Sequence, residues 1–90
     1  MERIYILTAT SHSDGKTEIV DAYHDLADAQ EDMKTRYESS KRFWDGMDEE
    51  RNRFAEIYIQ IGNVYAEAYA IDDDYEEVGM SWNIETLTVK

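Results

Sequence analysis

Two stretches of alternating side chains, AEIYIQI (55–61) and VYAEAYAI (64–71), flank the pair Gly62-Asn63. A two-residue turn there pairs Ile61 with Val64, Ile59 with Ala66, Ile57 with Ala68 and Ala55 with Ala70. Side chains along a strand alternate between faces, so a one-residue slip would scatter this apolar set. Register and pattern therefore agree on a hairpin with one core face. The opposite face carries Glu56, Tyr58, Gln60, Tyr65, Glu67 and Tyr69. The small Ala66, Ala68 and Ala70 leave room for a helix close above the core side.

The rest of the chain fits around this hairpin. RIYILTATS and TEIVDAY are rich in β-branched and aromatic residues, and the Asp14-Gly15 pair between them suits a two-residue turn that needs positive φ. From His24 the period changes. Leu26, Ala29, Met33, Tyr37, Ser40, Trp44 and Met47 recur every three or four residues, the signature of one buried helix face. Asp25 suits the N-cap, with a carboxylate able to accept an unpaired amide. Asp28, Glu31 and Asp32 precede the bases Lys34, Arg36, Lys41 and Arg42 along this helix, and Asp32/Arg36 and Glu38/Arg42 stand four apart. Gly46 ends or kinks it, and the following DEERNRF reads equally as helix or loop. MSWNIETLTV supplies a fifth strand. The expected fold is α+β: a two-layer β-β-α-β-β-β domain over residues 1–90, an antiparallel sheet with one long helix packed on one face. One helix covers one side of a sheet, so the tyrosine and glutamate face is left to water or a partner.

Charge restricts function. The chain holds 21 acids against 9 bases, a net charge of -12. Residues 1–42 carry nine acids and six bases, whereas residues 43–90 carry twelve and three. Such a field repels nucleic acid and anionic membrane and attracts basic surfaces. Cysteine is absent, which removes disulfides and thiolate chemistry and fits a reducing compartment. The mostly apolar run from Ile4 to Ala9 is too short for a signal-peptide core, and no stretch has the length of a membrane span. A soluble, cytoplasmic protein is expected.

Five carboxylates crowd six positions from Asp72 to Glu77 in IDDDYEEVG. A calcium loop starting at Asp72 would need glycine sixth and glutamate twelfth, but Glu77 and Asn83 stand there. Asp14-Gly15-Lys16-Thr17 imitates the end of a phosphate-binding loop, yet Thr10 replaces the required earlier glycine and a strand follows where a helix is needed. His12 falls in a turn, and His24 stands near Asp21 and Asp25 at a strand-helix junction. A histidine-carboxylate pair would also need a nucleophile or bound substrate in a pocket, and a ninety-residue two-layer sheet offers little pocket volume. No cofactor, metal site or enzymatic role is expected on these grounds.

An IYILT opening, a helix near LADAQEDM and a closing SWNIE strand resemble small uncharacterised open reading frames of bacteria and their prophages. The resemblance implies a bacterial or mobile-element setting, in which small acidic proteins often act by binding something larger. Two binding roles then compete. The first is a DNA-mimic or decoy that presents carboxylates to a basic protein surface, such as a nucleic-acid-binding enzyme. Its candidate residues are Asp48, Glu49, Glu50, Asp72, Asp73, Asp74, Glu76 and Glu77. Carboxylates on alternate strand residues lie roughly 7 Å apart, near the spacing of successive phosphates. The second is an interaction module or homodimer that uses Tyr58, Tyr65 and Tyr69, residues that combine contact area with a hydroxyl. The bland account of the acidic run is a solvated connection that discourages edge-to-edge pairing of sheets.

Overall fold

Five strands form one sheet, and one amphipathic helix packs on one of its faces. The computed structural model describes residues 2–46 and 54–89. The elements are β1 (Glu2–Ser11), β2 (Thr17–Tyr23), α1 (Leu26–Asp45), β3 (Phe54–Ile61), β4 (Tyr65–Asp72) and β5 (Glu77–Val89). The strands form one sheet in the order β2-β1-β5-β4-β3, with every neighbouring pair antiparallel. The expected two-layer α+β architecture and element order are those observed.

The helix leaves one edge strand and the chain returns at the other. Four strand spacings span about 19 Å, and twenty helical residues reach about 30 Å, so α1 can cross the whole sheet. Its stripe of Ala29, Met33, Tyr37 and Trp44 is buried against Leu7, Ala66, Ala68, Ala70, Trp82 and Ile84. The alanines of β4 let Trp44 come close enough to donate its Nε1 hydrogen to the Ala68 carbonyl at 3.2 Å. Phe54 meets the Trp44 ring edge-on with centroids 5.2 Å apart. Ile57 and Ile59 pack on the same side, but Ile61, expected to fill space there, is exposed.

Local expectations fared unevenly. The β3-β4 register is Ile61↔Ala66, Ile59↔Ala68 and Ile57↔Ala70, two residues away from the expected pairing. The loop is therefore centred on Asn63-Val64. Tertiary contacts account for the shift. The Asn63 carbonyl accepts from Gln30 Nε2 at 2.9 Å, and the Val64 carbonyl accepts from the Ile84 amide at 2.8 Å. A shift of two preserves face membership, so the two faces came out as read.

The β1-β2 connection is also longer than a two-residue turn. Ser11 and Lys16 close it, with Gly15 at φ 72° and Asp14 Oδ1 accepting the Lys16 amide at 3.0 Å. Asp25 occupies the N-cap position but makes no side-chain capping bond. Asp32 pairs with Arg36 at 2.9 Å as expected, whereas Arg42 bonds the Glu38 carbonyl oxygen and Lys34 approaches the Glu38 carboxylate at 4.0 Å. Gly46 ends the helix with its amide on the Arg42 carbonyl. Phe54 at the end of DEERNRF opens β3, while Met47 and the helix-or-loop question for the other residues, 48–53, lie outside the described residues. Among the described residues no helix is long and apolar enough to cross a membrane.

Candidate functional site

The face away from the helix is assembled by strand register. Partners across the ladders bring Thr10, Ser81, Glu67 and Gln60 into one row, and Gly79, Tyr69 and Tyr58 into the next. Among the described strand residues that alternation places on this face there is no Lys or Arg, while Glu56, Glu67 and Glu77 share its polar half. The other half carries Ile4, Ile6, Ile19 and Leu87, with Glu85 opposite Ile6.

His12 organises the polar half. Its backbone amide donates to the Gly79 carbonyl at 2.9 Å, which carries the ring over the glycine. Gly79 has φ 132°, and a Cβ there would meet the Ala68 oxygen and Tyr69 Cα at 2.5 Å. Only glycine leaves this space open. The His12 ring stacks on Tyr69 with centroids 3.9 Å apart, and Tyr69 stacks on Tyr58 at 5.0 Å. His12 Nδ1 lies 3.1 Å from Glu77 Oε1, and Nε2 lies 3.1 Å from Ser81 Oγ.

A carboxylate closes the network. Glu67 is only 6% exposed although it lies on the open side. Gln60 Nε2 donates to one of its oxygens and the Tyr65 hydroxyl donates to the other at 2.7 Å. Tyr65 stands beside Ser81, so the hydrogen-bonded group Gln60-Glu67-Tyr65 adjoins a second one, Ser81-His12-Glu77. Burial, then the bond to Glu67, pushes the Tyr65 phenol up to about 12. Tyr69 is raised by burial and then by the charges of Glu67, Glu77 and Glu56. Tyr58 is raised chiefly because its hydroxyl donates to Glu56.

The candidate acids separate into different roles. Asp72 ends β4, and its Oδ1 accepts the amides of Asp74 and Glu76 at 2.9 and 3.0 Å. It shapes the turn, in which Tyr75 adopts φ 64°. Asp73, Asp74 and Glu76 are exposed around that turn, so these acids do not form an extended alternating row. Glu77, read from sequence as part of the loop, opens β5 and faces His12. Asp48, Glu49 and Glu50 lie outside the described residues. Tyr58, Tyr65 and Tyr69 do share the open face, and Glu77 links them through His12 to the acidic turn.

Sequence reasoning missed His12 and Ser81 as a pair because 69 residues separate them. A glycine inside the closing strand, Gly79, was the available signal of a close approach. On the helix side a mostly apolar hollow of about 280 Å³ lies between Phe43, Trp44, Val78 and Met80, with no titratable lining residue for proton transfer. Among the described residues no group of three or more His, Cys, Asp or Glu side chains is placed to hold a metal ion. No protein-family model, curated protein or solved structure matches the chain.

Proposed function

We propose that this is a small acidic binding protein that receives a basic protein surface, of the kind a nucleic-acid-binding protein presents, on the polar half of its open sheet face and the adjoining acidic turn. The observation that carries this reading is the join at His12. Glu77, at the base of the turn, and Tyr69, in the middle of the face, meet the same imidazole. One continuous surface then combines exposed carboxylates with tyrosine rings, and the described strand residues on it include no Lys or Arg to repel a cationic partner. Exposed acids steer a basic partner and set its salt dependence, while tyrosines supply contact area.

The test is capture from a nuclease-treated lysate of the source organism at low salt, with an equally acidic control protein. The expected result is one basic protein retained by the native chain. That protein should be lost both on neutralising Asp73, Asp74 and Glu76 together and on truncating Tyr58 and Tyr65. Asp72 is left intact because it holds the turn. Retention unchanged by either set would overturn the reading.

A second reading, self-association, is favoured by the exposed apolar side chains on the other half of the face, where Ile19 is 71% and Leu87 50% exposed. A strict monomer by light scattering across micromolar concentrations would contradict it.

A further inference from the structure

We propose that Ser81, His12 and Glu77 form an acyl-transfer site in which Ser81 Oγ attacks carboxylic esters that carry a positive charge. This goes beyond the partner-binding reading, with which it shares His12, Glu77 and Tyr65, and its test reads chemistry at Ser81, which that reading does not use.

The hydrogen-bond partners define the roles. A carboxylate can only accept, so Glu77 Oε1 at 3.1 Å fixes the proton on His12 Nδ1 when the ring is neutral. That leaves Nε2 bare and 3.1 Å from Ser81 Oγ, where it can take the serine proton. The order of nucleophile, base and orienting carboxylate is the one acyl-transfer triads use on unrelated folds, recognised by geometry and not by sequence position. Stacking on Tyr69 holds the imidazole plane, and both hydrogen bonds lie within reach for proton transfer. Ser81 itself is 8% exposed, on the open side of the sheet.

A tetrahedral intermediate also needs a donor for its oxyanion. The Tyr65 hydroxyl, which donates to Glu67 at 2.7 Å, stands beside Ser81 and keeps its proton at neutral pH, so on turning from Glu67 it would donate to that oxygen. Glu67 and Glu77 disfavour the negative charge that develops on the carbonyl oxygen. A cationic group on the substrate offsets them, which selects positively charged esters over neutral ones.

The step balances without a further reactant. Ser81 Oγ bonds to the carbonyl carbon as its proton passes to His12 Nε2. The bond to the leaving alcohol then breaks, and the departing oxygen takes that proton. Water attacks the acyl-serine with His12 again accepting a proton, the carboxylic acid leaves, and Ser81 Oγ recovers its hydrogen. Ester and water become acid and alcohol.

The experiment mixes the full chain with p-nitrophenyl p′-guanidinobenzoate at mildly alkaline pH and follows p-nitrophenol release, with intact and peptide mass analysis. The expected result is a burst approaching one equivalent and a guanidinobenzoyl adduct on Ser81. Ser81→Ala abolishes both, and Ser81→Cys, which preserves size and fold, retains them. His12→Asn slows acylation about 10²- to 10⁴-fold. Glu77→Gln slows it less and moves its pH profile, and Glu77→Asp recovers part of the rate, as a positioning carboxylate should. Neutral p-nitrophenyl acetate reacts more slowly than the cationic ester. Release unaffected by Ser81→Ala in a chain that still melts cooperatively, or an adduct only on lysine, would overturn the proposal.

Discussion

Strand β4 puts the two faces of the sheet side by side, with Ala66, Ala68 and Ala70 beneath the helix and Tyr65, Glu67 and Tyr69 on the other side. The usual size order is inverted, since the smallest side chains point into the core and the largest point out. Under the helix the volume comes from Met33, Tyr37 and Trp44, which need alanines to seat them. On the open face no helix arrives, and His12, Tyr58, Tyr65 and Tyr69 build a thin second layer over Glu67 and Ser81. The lesson is that the two faces solve burial differently. One uses apolar packing, and the other uses a satisfied polar network, which is stable only while each member keeps its partners.

The comparison breaks first at the core. Trp44→Ala should cost about 3–5 kcal/mol, a large part of what a small domain possesses, read from urea denaturation. A loss below about 1 kcal/mol would show that the covered face is not the main source of stability. Next is Gly79→Ala, where backbone strain and the collision with Ala68 and Tyr69 should together cost about 2–4 kcal/mol. It should also diminish the near-ultraviolet circular dichroism of the stacked rings. An unperturbed variant would mean that the His12-Tyr69 stack is not required.

On the open face, Glu67→Ala leaves Gln60 and Tyr65 without their acceptor and should cost about 1–3 kcal/mol. A neutral outcome would make the polar layer ornamental. The faces also titrate for different reasons. Tyr23, on the helix side, is pushed up to about 12 chiefly by its bond to Asp32, and Tyr65 reaches about 12 chiefly by burial. Both folded values lie above the ordinary 10.0, so the folded chain keeps protons that the unfolded chain releases. Their stabilising contribution is whole below pH 10 and is lost as pH rises toward 12. Ultraviolet titration of Asp32→Asn should return Tyr23 toward its ordinary range and leave Tyr65 late. The smallest effect is that of salt. With a net charge of -12, moderate sodium chloride should raise the melting temperature by screening self-repulsion. A fall would mean that the acids are mostly paired.

How much was legible follows from where the information lies. The faces of β3 and β4 could be read because alternation is local and survives a register change of two. The register itself could not, because Gln30 and Ile84 fix it from distant parts of the chain. Asp72 looked like any other acid in its run, and only the turn geometry separates it from Asp73 and Asp74. The three tyrosines were found together because they belong to one hairpin. His12 was read as a loop residue because its partners, Glu77 and Ser81, depend on β1 pairing with β5.

We propose that the tyrosine face and the acidic turn form one cation-binding surface joined at His12. Amide chemical-shift mapping by NMR during titration with a lysine- and arginine-rich oligopeptide tests it most directly. The account predicts shifts that saturate together at Asp73 to Glu77, Tyr58, Tyr65 and Tyr69, with the acids of α1 little changed. Shifts spread evenly over all exposed acids, including Asp28 and Glu31, or confined to the turn while the tyrosine face stays still, would contradict it.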